Sequence, residues 1–262
     1  MAEPGADLGR DIADFAADPN AEALEAALLV GRALADQFDP GRCRDDLNAL
    51  ADACPAASDP WRYLAELGFA GSQDGFDAIH DSRMDHVLEH RKGIPISLGV
   101  LLVHVSRRGG QPAEGINFPG HFLVRVGQQL VDPLQMVATD EQACIDKFGQ
   151  RHAAVVGGGV DAALFPIASP QAILLRMLNN VKYQFAGEGR WDRALDMLDW
   201  QLCVEPDNAQ LYLERGELWS QIGAVSAARE AYARVAELTN DPRLRAAVQA
   251  RLDRLGDDEL LH

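Results

Sequence analysis

From Leu98 to Val105 the chain reads LGVLLVHV, apolar at nearly every position. A helix that is apolar all round is buried in a core rather than laid on a surface. Gly109-Gly110-Gln111 closes the run. The period then changes. AEGINF (113–118) and HFLVRV (121–126) are rich in β-branched and aromatic residues, as strands are. Gly127-Gln128 is a tight turn into QLVDP (129–133). A buried helix followed by a small antiparallel sheet predicts an α+β fold.

The flanks are helical. AEALEAALLVGRALADQF places Leu24, Ala27, Leu28, Gly31, Leu34, Ala35 and Phe38 at helical spacing, with a start expected at Asp18-Pro19-Asn20. Helices are expected over 44–53, 61–67 and 81–89, with loops at Gly68, Gly71 and Gly75. Ser169-Pro170 opens a helical region that runs nearly to the end. This divides the chain into 1–170, a helical N-terminal region plus the α+β core, and 171–262, all α.

The C-terminal part repeats. Gly189 and Gly223 are 34 residues apart, and so are Ala194 and Ala228. That is the tetratricopeptide period. The segment LYLERGELWSQIGAVSAAREAYARV resembles this repeat, with Tyr212, Gly216, Trp219, Gly223, Ala228 and Tyr232 at its packing positions. A first unit matches at Leu178, Phe185, Gly189, Ala194, Leu198 and Pro206, and departs at Lys182, where the repeat prefers Gly. Two units are fewer than usually stand alone. Arg243 to Leu255 is expected to cap them.

A nucleophile needs a base within hydrogen-bond reach, and the base needs an acidic orienter. Ser97 sits where the buried helix begins. His121 opens one strand and Asp132 ends the next. With a two-residue turn at 127–128, position 123 lies opposite 132, and 121 shares a face with 123. His121 and Asp132 are therefore expected as diagonal neighbours. Ser97 has a second reading as a helix N-cap, and His121–Asp132 as a structural pair that holds the hairpin. Asn117 and Arg91 are the candidate binding residues.

Other chemistry is set aside. The net charge is −16, and the longest basic cluster, His90-Arg91-Lys92, is too small for a phosphate-binding surface, so direct nucleic-acid binding is not expected. Membrane association is disfavoured too, with no apolar run near the ~18–20 residues of a span. The start, MAEPGADLGRDIADF, lacks the basic and apolar regions of a secretory signal. Cys43, Cys54, Cys144 and Cys203 form no CxxC pair, which fits free thiols in a reducing cytoplasm. GGGV at 157–160 lacks the order of a dinucleotide loop. His86-Val-Leu-Glu-His90 matches H-x-x-E-H, but on a short helix that reads as a polar face. No metal and no cofactor is expected.

HDSRMDHVLEHRKGIPISLGVLL, NFPGHFLVRV and LVDP resemble the transglutaminase-like (papain-like) core. More closely they resemble the SirB-type bacterial proteins, which join that core to C-terminal tetratricopeptide repeats and are labelled regulators of invasion genes. Some F-box proteins carry the same core. The resemblance implies a Cys at the helix start, a His on one strand and an Asp on the next. His121 and Asp132 match. No Cys stands between Pro95 and Ser97, and Ser97 is the only hydroxyl there. Two functions follow as expectations. One is a vestigial, non-catalytic regulator that binds a protein or peptide in its repeat groove. The other is a Ser-His-Asp hydrolase or acyl transferase acting on amide or ester bonds.

Overall fold

The computed structural model describes residues 4–72, 77–148 and 162–259. The glycine loop at 157–160 and Gly75 lie outside them. The fold is α+β, mostly helical with a small antiparallel sheet. It divides into two compact units, 1–177 and 178–262.

The first unit begins with four helices, α1 (Pro4–Ala17), α2 (Ala23–Leu34), α3 (Pro40–Asp52) and α4 (Pro60–Glu66). The α2 helix starts three residues after the expected Asn20, with Glu22 as its N-cap. Asp39 caps α3 by accepting the Arg42 amide at 3.0 Å, and Pro40 occupies its first turn, where a missing N–H costs nothing. The expected helix over 81–89 is two pieces, α5 (Ala78–Asp81) and α6 (Met84–His90). Ser82-Arg83 breaks it, because Arg83 adopts extended backbone at φ −82°, ψ 123°. Arg91 ends α6 in the left-handed region at φ 57°.

The apolar run is the central helix, α7 (Pro95–Arg108). Ten of its residues are buried, from Ile96 to Ser106, which is why its sequence shows no polar face. It packs against α2, α3 and α4 on one side and against the sheet on the other. Two short strands, β1 (Ala70–Gly71) and β2 (Lys92–Gly93), pair in parallel beside its start.

The main sheet is β3 (Ala113–Ile116), β4 (Leu123–Val126), β5 (Gln129–Asp132) and β6 (Val137–Thr139), antiparallel and in chain order. Gly127, at φ 56°, makes the tight turn, and Val126 pairs with Gln129. The register places Ala113, Gly115, Val124 and Val131 on one face, and Ile116, Leu123, Leu130 and Asp132 on the other. The first face meets α7. There Gly99 and Gly115 make room for the buried ring of Phe122, and a Cβ at either would stand 2.6 and 2.5 Å from that ring. On the second face Ile116, Leu123 and Leu130 form a core cluster with Cys144 and Ile145 of α8 (Glu141–Phe148) and with Leu164 and Phe165. Thus β6 and α8, which no sequence signal predicted, complete the layer. A 3-10 turn at Ala162–Leu164 leads into α9 (Pro170–Gly187).

The second unit holds the rest of α9, then α10 (Trp191–Val204), α11 (Ala209–Ile222), α12 (Val225–Leu238) and α13 (Pro242–Glu259), with α10 to α13 packed in sequence order. The ring of Tyr232 fills the space that Gly216 leaves, and a Cβ there would collide with it. Val248 and Leu255 carry α13 into the same core as Leu213, Tyr232 and Val235. Lys182 is buried. Its ammonium donates to Gln201 Oε1 at 2.8 Å and pairs with Glu214, tying α9 to α10 and α11.

Candidate functional site

The hairpin brings two of the predicted residues together. His121 Nε2 stands 2.9 Å from Asp132 Oδ1, both side chains 5% exposed. The β4–β5 register that pairs 124 with 131 puts 123 beside 132, and the imidazole reaches across from two residues earlier. His121 lies just ahead of β4 rather than opening it, since the strand starts at Leu123.

A third residue completes the group. Lys147 Nζ, at the end of α8, stands 3.0 Å from Asp132 Oδ2. The Leu134 amide donates to Asp132 Oδ1 at 3.0 Å. Burial pushes the Asp132 carboxyl up, but the hydrogen bond and charge of His121, and then of Lys147, outweigh it and hold the carboxyl below its ordinary range. Asp132 is thus a buried carboxylate with both oxygens engaged. Sequence reasoning missed Lys147 because α8 carries no motif that ties it to the hairpin.

Ser97 is elsewhere in its bonding. It is fully buried. Its hydroxyl accepts from the Ile94 amide at 3.1 Å and donates to the Asp81 carbonyl at 2.6 Å, with the Ile94 carbonyl at 3.1 Å. The N-cap reading is corrected here. Pro95 takes the first helical position, so Ile94 is the N-cap and Ser97 is the third residue of the first turn. From there it bonds back to the N-cap amide, as the third residue of a capping box does. All of the Ser97 hydrogen bonds go to main chain, and none goes to His121.

Cys144 is the one cysteine in the core cluster on the Asp132 face. Burial raises its thiol, as does the charge of Asp132, although Thr139 offsets part of this. A thiolate nucleophile requires the opposite shift.

The two candidate binding residues serve the frame. Asn117 Oδ1 accepts from Arg176, which also reaches the Phe118 carbonyl at 3.4 Å and lies 5.8 Å from the Phe122 ring centroid. Arg176 fixes the Phe118–Phe122 segment that presents His121. Arg91 donates to the Leu67 carbonyl. Neither contact involves His121 or Asp132. Among the described residues no group of three or more side chains stands as a metal site, and no helix is long and apolar enough to cross a membrane.

Comparison with known proteins bears on this geometry. The profile of a family described as Transglutaminase-like superfamily matches residues 42–179. That span contains Ser97, His121, Asp132 and Lys147. A UPF0162 protein of Xylella fastidiosa is 35% identical over 187 residues, covering 68% of this chain and 66% of that protein. A UPF0162 protein of Pseudomonas aeruginosa is 28% identical over 247 residues, covering 88% and 90%. F-box only protein 21 of Mus musculus is 32% identical over 168 residues, 60% of this chain but 26% of that protein. The chain therefore spans just under two thirds of the Xylella protein and about a quarter of the F-box protein. No solved structure matches it.

Proposed function

The chain belongs to the transglutaminase-like superfamily, and from that premise we propose that it is a non-catalytic member that acts through protein–protein contacts. The observation that carries this reading is the commitment of Ser97. Its hydroxyl is fully buried and spends its proton on the Asp81 carbonyl. A serine nucleophile needs that proton on a base. His121 and Asp132 then serve as a buried tie between β4, β5 and α8, in which Lys147 takes the oxygen that His121 leaves.

In this reading the second unit supplies the contact surface. Its helices are two tetratricopeptide units closed by α13, as in the SirB-type regulators. A cavity of about 480 Å³ there is lined by Tyr183, Ala186, Trp191 and Leu218 together with the polar Gln210 and Gln221 and the charged Lys182, Glu214 and Glu217. Tyr183 is 61% exposed, which is unusual for a large ring. Apolar side chains beside amide and charged groups suit a peptide segment, whose side chain meets the apolar part while its backbone bonds the polar part.

The test is capture with purified protein from a lysate of the source cells. A specific protein should be retained by wild type and by Ser97→Ala, and released by Tyr183→Asp. Capture of nothing, or equal capture by Tyr183→Asp, contradicts the proposal. The second reading, an amide- or ester-cleaving hydrolase or acyl transferase, has one observation in its favour, the His121–Asp132 bond at 2.9 Å. It requires Ser97 to break its present bonds and turn to His121.

A further inference from the structure

The cavity of the second unit is lined by carboxylates and aromatic rings together. On α11, Gln210, Glu214, Glu217 and Gln221 stand at intervals of three or four residues, the spacing of one helix face. Tyr183 of α9 and Trp191, the first residue of α10, add two rings to the lining.

Both carboxylates already hold a cation, and in each pair the cation is the less exposed partner. Glu214 pairs with Lys182 through Oε2, with side chains 22% and 3% exposed. Glu217 Oε1 accepts from Arg251 Nε at 2.9 Å, with side chains 44% and 29% exposed. Arg251 itself lines the neighbouring cavity with Arg254 and Leu255. The second oxygen of each carboxylate, Glu214 Oε1 and Glu217 Oε2, takes no part in these pairs. A group arriving from solvent therefore meets carboxylate before cation.

Tyr183 reports the same sign of charge. The charge of Glu214, then burial, then the charge of Glu217 push its phenol up, and the Asn179 hydrogen bond offsets part of this. The ring already attracts one cation, since the Lys182 ammonium stands 5.4 Å from its centroid. More than half of the residue remains open to solvent, which leaves room for another.

We propose, on the basis of the contact reading above, that the partner presents a basic segment, an arginine that stacks on Tyr183 and pairs with Glu217 beside an apolar side chain that meets Ala186, Trp191 and Leu218. Arginine suits the place better than lysine, because its planar fork stacks on a ring and offers a carboxylate two donors at once. Gln210 and Gln221 have the donors and acceptors to bond the segment's backbone. The same carboxylates repel an acidic segment.

The test is fluorescence anisotropy of the full-length protein with labelled serine–leucine peptides that differ only in a central pair of arginines, glutamines or glutamates. Wild type should bind the arginine peptide about 10-fold more tightly than the glutamine peptide, and the glutamate peptide least. Added salt should narrow the difference. Glu217→Gln alters a half-exposed side chain, and should weaken the arginine peptide about 3-fold and leave the glutamine peptide unchanged. Tyr183→Ala should weaken the arginine peptide about 5-fold. Equal binding of the arginine and glutamine peptides, both released by Tyr183→Ala, would overturn the basic partner and leave the contact surface standing. An arginine preference undiminished in Glu217→Gln contradicts the proposal in the same way. No binding, or binding that Tyr183→Ala leaves intact, sinks both readings. A dimer in sedimentation that Tyr183→Ala dissolves would give the cavity to a second copy of the chain, against the proposal.

Discussion

Ser97 donates its hydroxyl proton to the Asp81 carbonyl at 2.6 Å, sixteen residues upstream. The same oxygen accepts from the Ile94 amide at 3.1 Å. The side chain expected as the nucleophile is thus a buried link between the end of α5 and the first turn of α7. Ser97→Ala leaves an amide and a carbonyl unpaired in the core, which costs about 1–3 kcal/mol. Urea denaturation should show a lower midpoint at unchanged slope.

Asp132 gives the fold a pH dependence. Its carboxyl is held below the ordinary carboxylate range in the folded state. Its stabilising contribution is therefore present above the unfolded value of about 4, and is lost as pH falls through the folded value. Thermal melts of wild type should lose stability below about pH 4, and Asp132→Asn should remove that part of the slope. At neutral pH the variant should be less stable by about 2–4 kcal/mol, because Lys147 and His121 lose a buried ionic partner.

Lys182 is the position where the expected first repeat departs from its pattern, and the structure shows what the buried ammonium does there. The ammonium is 3% exposed and satisfied by Gln201 and Glu214. Lys182→Met leaves Glu214 unpaired and should cost about 3–5 kcal/mol. Adding Glu214→Leu should recover most of it. Chemical denaturation of both variants checks this.

Gly99 and Phe122 are another coupled pair. A Cβ at Gly99 would stand 2.6 Å from a ring that is itself 1% exposed and has no room to retreat. Gly99→Ala should destabilise by about 1–3 kcal/mol. The cost should shrink in a Phe122→Leu background, as a double-mutant cycle would measure.

Much of the α+β core is legible in the sequence, because its signals are local. Uniform apolarity marks α7 as buried. Gly127-Gln128 sets the β4–β5 register, and that register delivers His121 to Asp132. The start of α7 lies earlier than the sequence suggests: Ser97 is expected at the helix start, while Pro95 at the first helical position puts the N-cap at Ile94 and Ser97 in the first turn. The partners of Ser97 and Asp132 were not legible. The Asp81 carbonyl carries no side-chain signal, and Lys147 reaches the pair from a short helix whose pattern points nowhere in particular. The two-residue ladder of β1 and β2 is too short to have a period.

The central claim is that the Ser97, His121 and Asp132 set is a frame without a reaction. Treatment with a broad serine-reactive fluorophosphonate, followed by intact mass and peptide mapping, tests it most directly. Unmodified Ser97 in wild type, with no adduct to distinguish it from Ser97→Ala and His121→Ala, is the predicted result. A covalent adduct on Ser97 that disappears in His121→Ala would contradict it.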